Sequence, residues 1–573
     1  MTAPQDLAPL DLGRIGVIGP GIVGAPMAAL LAQASAAGHY GPRAHVTVVQ
    51  RDSPTSGWKV AALNAGRSPI GGIEPGLEVI IAATAASGHL SASHDPGVLR
   101  DADVVLVCVQ TDKAPGGGPD YGPMFGALEG LTAALKAGRD AGRPPALVIF
   151  ESTLAPSSMA TVMTDLFAAA GLVEGRDVFL GNSPNRVMPG RLVARIAAAD
   201  KLAGGLHPST PGRIAQLYAP LVTEGTVHPT NSLTAEVVKT LENTWRDVRI
   251  ALAHEVAHHC DRVGVDVFRL RQRVNAELAR GDAADTDAAA VPTGAMLVPG
   301  VGVGGHCLPK DGILMRWRFD EADPSRAARS LIHRARVIND AAPAYTARLA
   351  EALGPLADRP VTLLGLAYRA DSDDTRNSPT FGLAAALRAL GCAVTVHDPY
   401  VRPTDANLRD AGLTAALTAD LDAALAEAEV AFLCQAHAPY RDAGPALLAG
   451  RPRLRAVVDA AHVWPAVPLS DWPVPARGVG RGGASTGREP DAELVQAVAQ
   501  AHRALGWAFT RELAEVIDDL NARYAADDFQ RVSLDTVRAL AATCATGCDL
   551  PALGPVPASP FPSTLLHGST LAG

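Results

Sequence analysis

The 573-residue chain is 48% hydrophobic and 19% charged, which suits large buried cores and excludes a disordered or fibrous protein. A formal net charge of −9 with scattered arginines leaves no basic stripe for nucleic acid, and no apolar run reaches the roughly 18 residues of a membrane helix. Residues 1–13 lack a basic segment followed by an apolar one, and seven cysteines are too sparse for a disulfide framework, so the expectation is a cytoplasmic protein with reduced thiols and no membrane partner.

From Arg14 to about Leu202, apolar runs alternate with Ala-rich stretches, the pattern of strand-helix-strand units and a parallel sheet. Strands are predicted at 15–18, 45–49, 104–109, 147–150 and 178–180. The first ends in Ile15-Gly-Val-Ile-Gly19-Pro-Gly21-Ile22-Val23-Gly24, three glycines between a strand and a helix that let backbone N–H groups approach a pyrophosphate. The second strand closes on Gln50-Arg51-Asp52, where an acid normally holds the adenosine ribose. Gln50 can still bond a ribose hydroxyl, and Arg51 leaves NADP open as the alternative to NAD.

From about Pro208 to Ala341 strands are expected to disappear in favour of amphipathic helices at 235–263 and 326–340. Glu236, Lys239 and Asn243 recur at spacings of three and four, so they share one helix face. An ammonium and an amide there can stabilise an oxyanion; a solvated face is the ordinary alternative. His254-Glu255-Val-Ala-His258 also reads as a zinc-hydrolase arrangement, with Glu277 as third ligand, but no hydrolase context accompanies it, and these histidines are taken as helix surface or interface with no metal.

The strongest local signal is Pro299-Gly-Val-Gly-Val-Gly304-Gly305-His306-Cys307-Leu-Pro-Lys310-Asp311. Such a backbone-rich loop brings N–H groups and a thiol close to a reacting carbon, and a nearby cation or N–H cluster would lower the thiol pKa. Beyond it, strands at 361–364, 393–397, 430–434 and 456–459 predict a second, smaller α/β unit without a glycine fingerprint, able to hold a nucleotide but not a second dinucleotide half. Helices at 492–507, 510–524 and 533–542 follow, then a tail expected to be disordered from Leu550. Cys544 and Cys548 are expected to serve helical packing.

Taken together with Glu74-Pro-Gly-Leu, Glu151-Ser-Thr153, Arg186-Val-Met-Pro-Gly190, Asp373-Asp-Thr-Arg376 and His397-Asp-Pro, these motifs occur in one order. Over about 14–482 the chain resembles the UDP-glucose/GDP-mannose dehydrogenase family, and most of all its UDP-N-acetylhexosamine members. The fold implied is α/β: a Rossmann NAD(P)-binding domain (1–207), a helical central and dimerisation domain carrying the cysteine loop (208–341) and a UDP-sugar-binding α/β domain (342–485), with a helical extension (486–573) outside the resemblance. It implies NAD-dependent oxidation of the C6 alcohol of UDP-ManNAc or UDP-GlcNAc to the acid in two hydride transfers, and a homodimer or higher oligomer.

By resemblance, Cys307 carries the intermediate as a thioester, Lys239, Asn243 and Asp311 handle the alcohol proton and oxyanion, and Thr153 holds a water. Gly19, Gly21, Ile22, Val23, Gly24, Gln50, Arg51, Thr111, Thr153, Lys310 and Arg376 would contact the cofactor. Asn185, Arg186, Val187, Lys239, Asn243, Gly304 and Arg369 would contact the substrate. Three positions depart from the family pattern: Asn185 and Asn377 stand where it has Glu, and Arg369 where it has Lys. Asn cannot act as a general base, which keeps UDP-glucose oxidation, arrest at the aldehyde and non-catalytic nucleotide-sugar binding open as alternatives.

Overall fold

The computed structural model describes residues 10–71, 74–186, 190–284, 294–482, 488–544 and 548–553. Apolar β-branched runs build the first sheet: β1 (Arg14–Ile18), β2 (His45–Val49), β3 (Leu90–Ser93) and β4 (Val104–Val107), then, after a short hairpin of β5 (Asp112–Lys113) and β6 (Pro119–Asp120), β7 (Ala146–Phe150), β8 (Val178–Asn182), β9 (Lys201–Gly205) and β10 (Val227–Asn231). Their order is β10-β9-β8-β7-β4-β1-β2-β3, parallel except for the β8–β9 pair. Buried on both faces, β4 and β7 show no polar alternation.

The region expected to lack strands contributes β10. Its sequence, Val-His-Pro-Thr-Asn, hides it from a search for apolar runs, and Pro229 is tolerated because β10 lies at the sheet edge. The central helix Ser232–Val263 follows directly. The Asn231 side chain caps it by accepting from Thr234 N at 2.7 Å, and Gly264, at φ 74°, ends it.

The second sheet comprises β11 (Pro360–Leu364), β12 (Ala393–His397), β13 (Leu417–Thr418), β14 (Val430–Leu433), β15 (Ala456–Asp459) and β16 (Ala476–Gly478). Its order is β13-β12-β11-β14-β15-β16, all parallel. Strand order reverses between β1 and β4 in the first sheet and between β11 and β14 in the second, and each reversal opens a crevice at the strands' carboxyl ends, where ligands of such sheets bind.

The extension differs from expectation in two ways. Residues 492–524 form one uninterrupted helix, Ala492–Tyr524, in which buried Thr510 satisfies its hydroxyl on Gly506 O at 2.9 Å. Leu550 is 1% exposed and shares a core with Cys548, Phe509, Leu513 and the central helix's Leu241 and Trp245, so order extends past the point where disorder was expected. Trp245 and Phe509 meet at 5.0 Å between ring centroids.

Candidate active site

The first crevice is built by the turn after β1. Gly19 has φ 88°, and a Cβ there would come within 2.9 Å of Cys108 O; one at Gly24 would come within 2.1 Å of Gly19 O. Both glycines are therefore required for the turn itself. Gly21 differs: no protein atom lies within 4 Å of a Cβ built on it, so the space above it is open to a ligand. Helix α1 (Gly24–Ala36) starts there at Val23 with no side-chain cap and no acid in its first turn, leaving its N-terminal partial positive charge for an anion. The residues fit a pyrophosphate.

At the tip of β2, Gln50 Nε2 donates to Ser56 Oγ at 2.9 Å, while Arg51 is exposed. On the other side of the crevice, Thr111 Oγ1 donates to Thr153 O at 2.7 Å, joining the loops that leave β4 and β7. Glu151, two residues before Thr153, is consumed by structure: it pairs with Lys201 Nζ at 2.8 Å and accepts from Tyr218 OH in a buried network.

The cysteine loop docks onto this edge. His306 Nε2 meets Thr111 O at 2.8 Å, and Lys113 Nζ reaches Pro309 O at 3.4 Å, so the residue before Cys307 touches the loop bordering the dinucleotide crevice. Cys307 is the N-cap of helix Leu308–Ala322, whose first turn holds Lys310 and Asp311. Gly304 and Gly305 let the loop press on Tyr368, since a Cβ at Gly304 would sit 2.4 Å from Tyr368 Cβ. Gly305 N donates to Arg376 O at 2.8 Å, and Asn377 Nδ2 to Gly305 O at 3.0 Å.

Around the thiol, Asp311 accepts from Asn243 Nδ2 at 2.6 Å and from Lys310 Nζ at 2.9 Å. Lys239, one turn before Asn243, is 7% exposed and has no hydrogen-bond or ion-pair partner among the described residues. Burial pushes the Cys307 thiol up and Asp311 adds to that, while Lys239, Lys310 and Arg376 pull it down. The sequence-based expectation of a lowered thiol pKa is thus overturned: the cations are in place, but burial outweighs them. Lys310 is held protonated against its own burial by Asp311 and the thiol.

The cysteine loop also faces the second crevice. A cavity of about 170 Å³ lies between Pro299–Gly302 and the carboxyl ends of β11, β14 and β15, lined by Tyr368, Gln435 and His462. Two histidines anchor the loop's start. Gly300 N donates to His254 Nε2 at 3.2 Å, and His462 Nε2 meets Pro299 O at 3.0 Å. His254 is fully buried, not on the helix surface, and its other nitrogen meets Asn339 Oδ1 at 2.9 Å. His258 instead stacks on Tyr345 at 3.6 Å, so these histidines do not converge on a metal.

Three segments match models of the UDP-glucose/GDP-mannose dehydrogenase family: the NAD binding domain at 13–222, the central domain at 233–341 and the UDP binding domain at 362–466. The UDP-N-acetyl-D-mannosamine dehydrogenase of Pyrococcus horikoshii is 32% identical over 400 residues, 69% of this chain and 85% of the relative; that of Salmonella typhimurium is 31% identical over 472, 79% of this chain and 100% of the relative. Among solved structures, an NDP-N-acetyl-D-galactosaminuronic acid dehydrogenase from Methanosarcina mazei superposes with TM-score 0.66 at 29% identity, covering 83% of this chain and 96% of its own. The chain belongs to the UDP-glucose/GDP-mannose dehydrogenase family. It is an NAD-dependent oxidoreductase acting on a nucleotide sugar.

Within this family frame, the substrate-side expectations divide. Asn185 is half-buried, its N–H donating to Glu151 O at 3.2 Å. Gly304 borders the thiol loop, and Arg369 is exposed on the β11 side. Arg376 is gripped by Asp374 through two bonds of 2.9 and 2.6 Å. Val187 lies outside the described residues. Arg186 turns inward, its side chain 3% exposed and paired with Glu242 at 2.5 Å, so the guanidinium is spent within the fold. Glu236 is likewise spent: its carboxylate accepts from Ser157 N and Met159 N, each at 2.8 Å, tying the central helix to the loop after Thr153. Tyr368 and His462 carried no motif signal; only contacts between distant segments reveal them.

Proposed function

We propose that the chain oxidises the C6 alcohol of a UDP-N-acetylhexosamine to the uronic acid, with Cys307 carrying the acyl group as a thioester. The observation that supports this is the placement of Cys307 at a helix start, among Lys239, Asn243, Lys310 and Asp311, in a loop touching both crevices. NAD supplies the hydride acceptor for both oxidations.

In this reading Lys239 sits by the C6 oxygen, where its ammonium, without a partner among the described residues, stabilises alkoxide character. Asn243 and Lys310 hold Asp311 fixed beside the thiol. Once C6 is an aldehyde, Cys307 Sγ adds to it and the carbonyl oxygen takes a proton, giving a thiohemiacetal. Loss of a hydride from C6 and a proton from its hydroxyl leaves a thioester. Water held near Thr153 adds to the carbonyl, the C–S bond breaks, and the thiol and carboxylate separate. Asn185 can orient that water but cannot take its proton. Deacylation is therefore the step most exposed to slowing.

The test is purified protein with NAD and a panel of UDP-hexoses and UDP-N-acetylhexosamines, counting NADH formed per sugar and identifying the product by mass. Two NADH per sugar with acid from a UDP-N-acetylhexosamine is expected. One NADH with a free aldehyde product would replace the proposal by a reaction arrested before the thioester, a burst of two NADH per subunit without acid release would mark the deacylation stalled at Asn185, and preferential turnover of UDP-glucose would replace the substrate.

A further inference from the structure

The carboxyl-terminal extension lies beyond residue 466, the last matched by the family models, yet it is built into the catalytic helix. Gln530 Nε2 donates to Leu206 O at 2.5 Å, and Asn231 Nδ2 to Phe529 O at 2.7 Å. These bonds place helix Leu534–Ala542 against Ser232–Val263. At its end, Leu540 O accepts from Arg186 Nη2 at 3.1 Å and Thr543 Oγ1 from Arg186 Nη1 at 3.0 Å. Asp200 O accepts from the same Nη1 at 3.3 Å. The guanidinium so held lies 2.5 Å from Glu242, both side chains being 3% exposed.

Glu242 and Lys239 are three residues apart on one helix and so share a face. We propose that the extension is a resident positioning element for the active site: Leu540 O and Thr543 Oγ1 hold Arg186 against Glu242, and that ion pair keeps Glu242 from capturing the Lys239 ammonium. A buried carboxylate left unpaired takes the nearest cation or stays protonated. Two cations and the Cys544 and Cys548 thiols face Glu242; burial raises its pKa, and Arg186, Lys239 and the hydrogen bond with Cys544 oppose that. Arg186 is fixed from behind by three contacts, and Lys239 is left with no partner among the described residues. Arg186, Glu242 and the residues behind them thus act through Lys239 and need not touch substrate.

This inference rests on Lys239 acting at the substrate oxygen; acid formation by the unaltered protein tests that reading, whereas only ratios between variants test this one. Arg186→Met should lower kcat by about 30-fold, the scale of one lost bond to a charged group, because Glu242 then binds Lys239. Adding Glu242→Gln should restore kcat to within about threefold of the unaltered enzyme, since no carboxylate remains to compete. The single variant should also regain activity as pH falls and Glu242 protonates, a trend the double variant lacks. Should Arg186→Met not fold, Thr543→Asp offers Arg186 a rival carboxylate and should show the same loss, rescued by Glu242→Gln. A folded Arg186→Met with undiminished kcat, or a folded double variant as slow as its single parent, overturns the proposal.

Discussion

The two parallel sheets reverse strand order in the same way, yet their crevices differ in what fills the first turn. After β1 the turn leaves Gly21 open and the start of α1 uncapped by any side chain. After β11 the equivalent turn runs through Gly365, at φ 99°, to Leu366 and Ala367, whose N–H groups donate to Asp398 Oδ2 at 2.6 and 3.0 Å. The other oxygen of Asp398 accepts from Tyr400 N at 2.9 Å and Val401 N at 3.1 Å. The second sheet therefore carries its own anion where the first leaves room for a ligand's. Topology places a crevice, and the neighbouring side chains decide whether the N–H groups of its first turn are free for a ligand's anion.

The harshest way to break this contrast is Gly24→Val, which drives a side chain into Gly19 O. NAD affinity measured by calorimetry should fall by at least about 1,000-fold, the loss of the whole backbone cradle. Gly21→Val is the sharper probe, because its Cβ meets only open space. NAD affinity should drop about 100-fold, roughly 2.7 kcal/mol, with thermal stability unchanged; a lost fold with intact binding in the survivors would contradict the ligand role.

In the second sheet the effect should be on stability and not on NAD binding. Asp398→Asn should cost about 2 to 3 kcal/mol in denaturant unfolding, the range for buried bonds to a charged group, and leave NAD affinity within about twofold. His437 and the backbone amides hold the Asp398 carboxyl below its usual range against the opposing effect of its burial. Because its folded pKa is depressed, its contribution is present above about pH 4, the unfolded value, and fades as pH falls through the folded one. The Asn variant should lose that acid slope.

The last change concerns the loop beyond Thr153. Burial pushes Glu236 up to about 8, against the two backbone N–H groups that favour its charge. With its folded pKa above the unfolded 4.5, the protein binds more protons folded than unfolded between those values, so stability declines as pH rises from about 4.5 to 8. Glu236→Gln should flatten that part of a melting-temperature profile; an unaltered slope would assign it to other groups.

The strands β1, β2, β4, β7, β8, β11, β12, β14 and β15 could be read from the sequence because they are apolar runs, whereas β3, β9, β13 and β16, short or rich in Gly, Ser and Ala, escaped that search. So did β10, since an edge strand with Pro229 and two polar neighbours imitates a loop. The cysteine loop was legible from its glycines, and the Lys239–Asn243 face from helical spacing. Arg186 could not be resolved: its motif suggests a ligand contact, but its partners Glu242 and Thr543 lie 56 and 357 residues away. His254 was misplaced for the same reason, being buried by contacts to Asn339 and Gly300 that helical periodicity does not encode.

The proposed chemistry requires a bond between Cys307 and the sugar carbon. Turnover with the preferred UDP-sugar, stopped by acid within one catalytic cycle and followed by intact-mass and peptide analysis, reads that bond directly. The acyl adduct should appear on Cys307, and Cys307→Ala should yield neither adduct nor acid. Acid formation by the Ala variant at the unaltered rate would contradict the thioester mechanism.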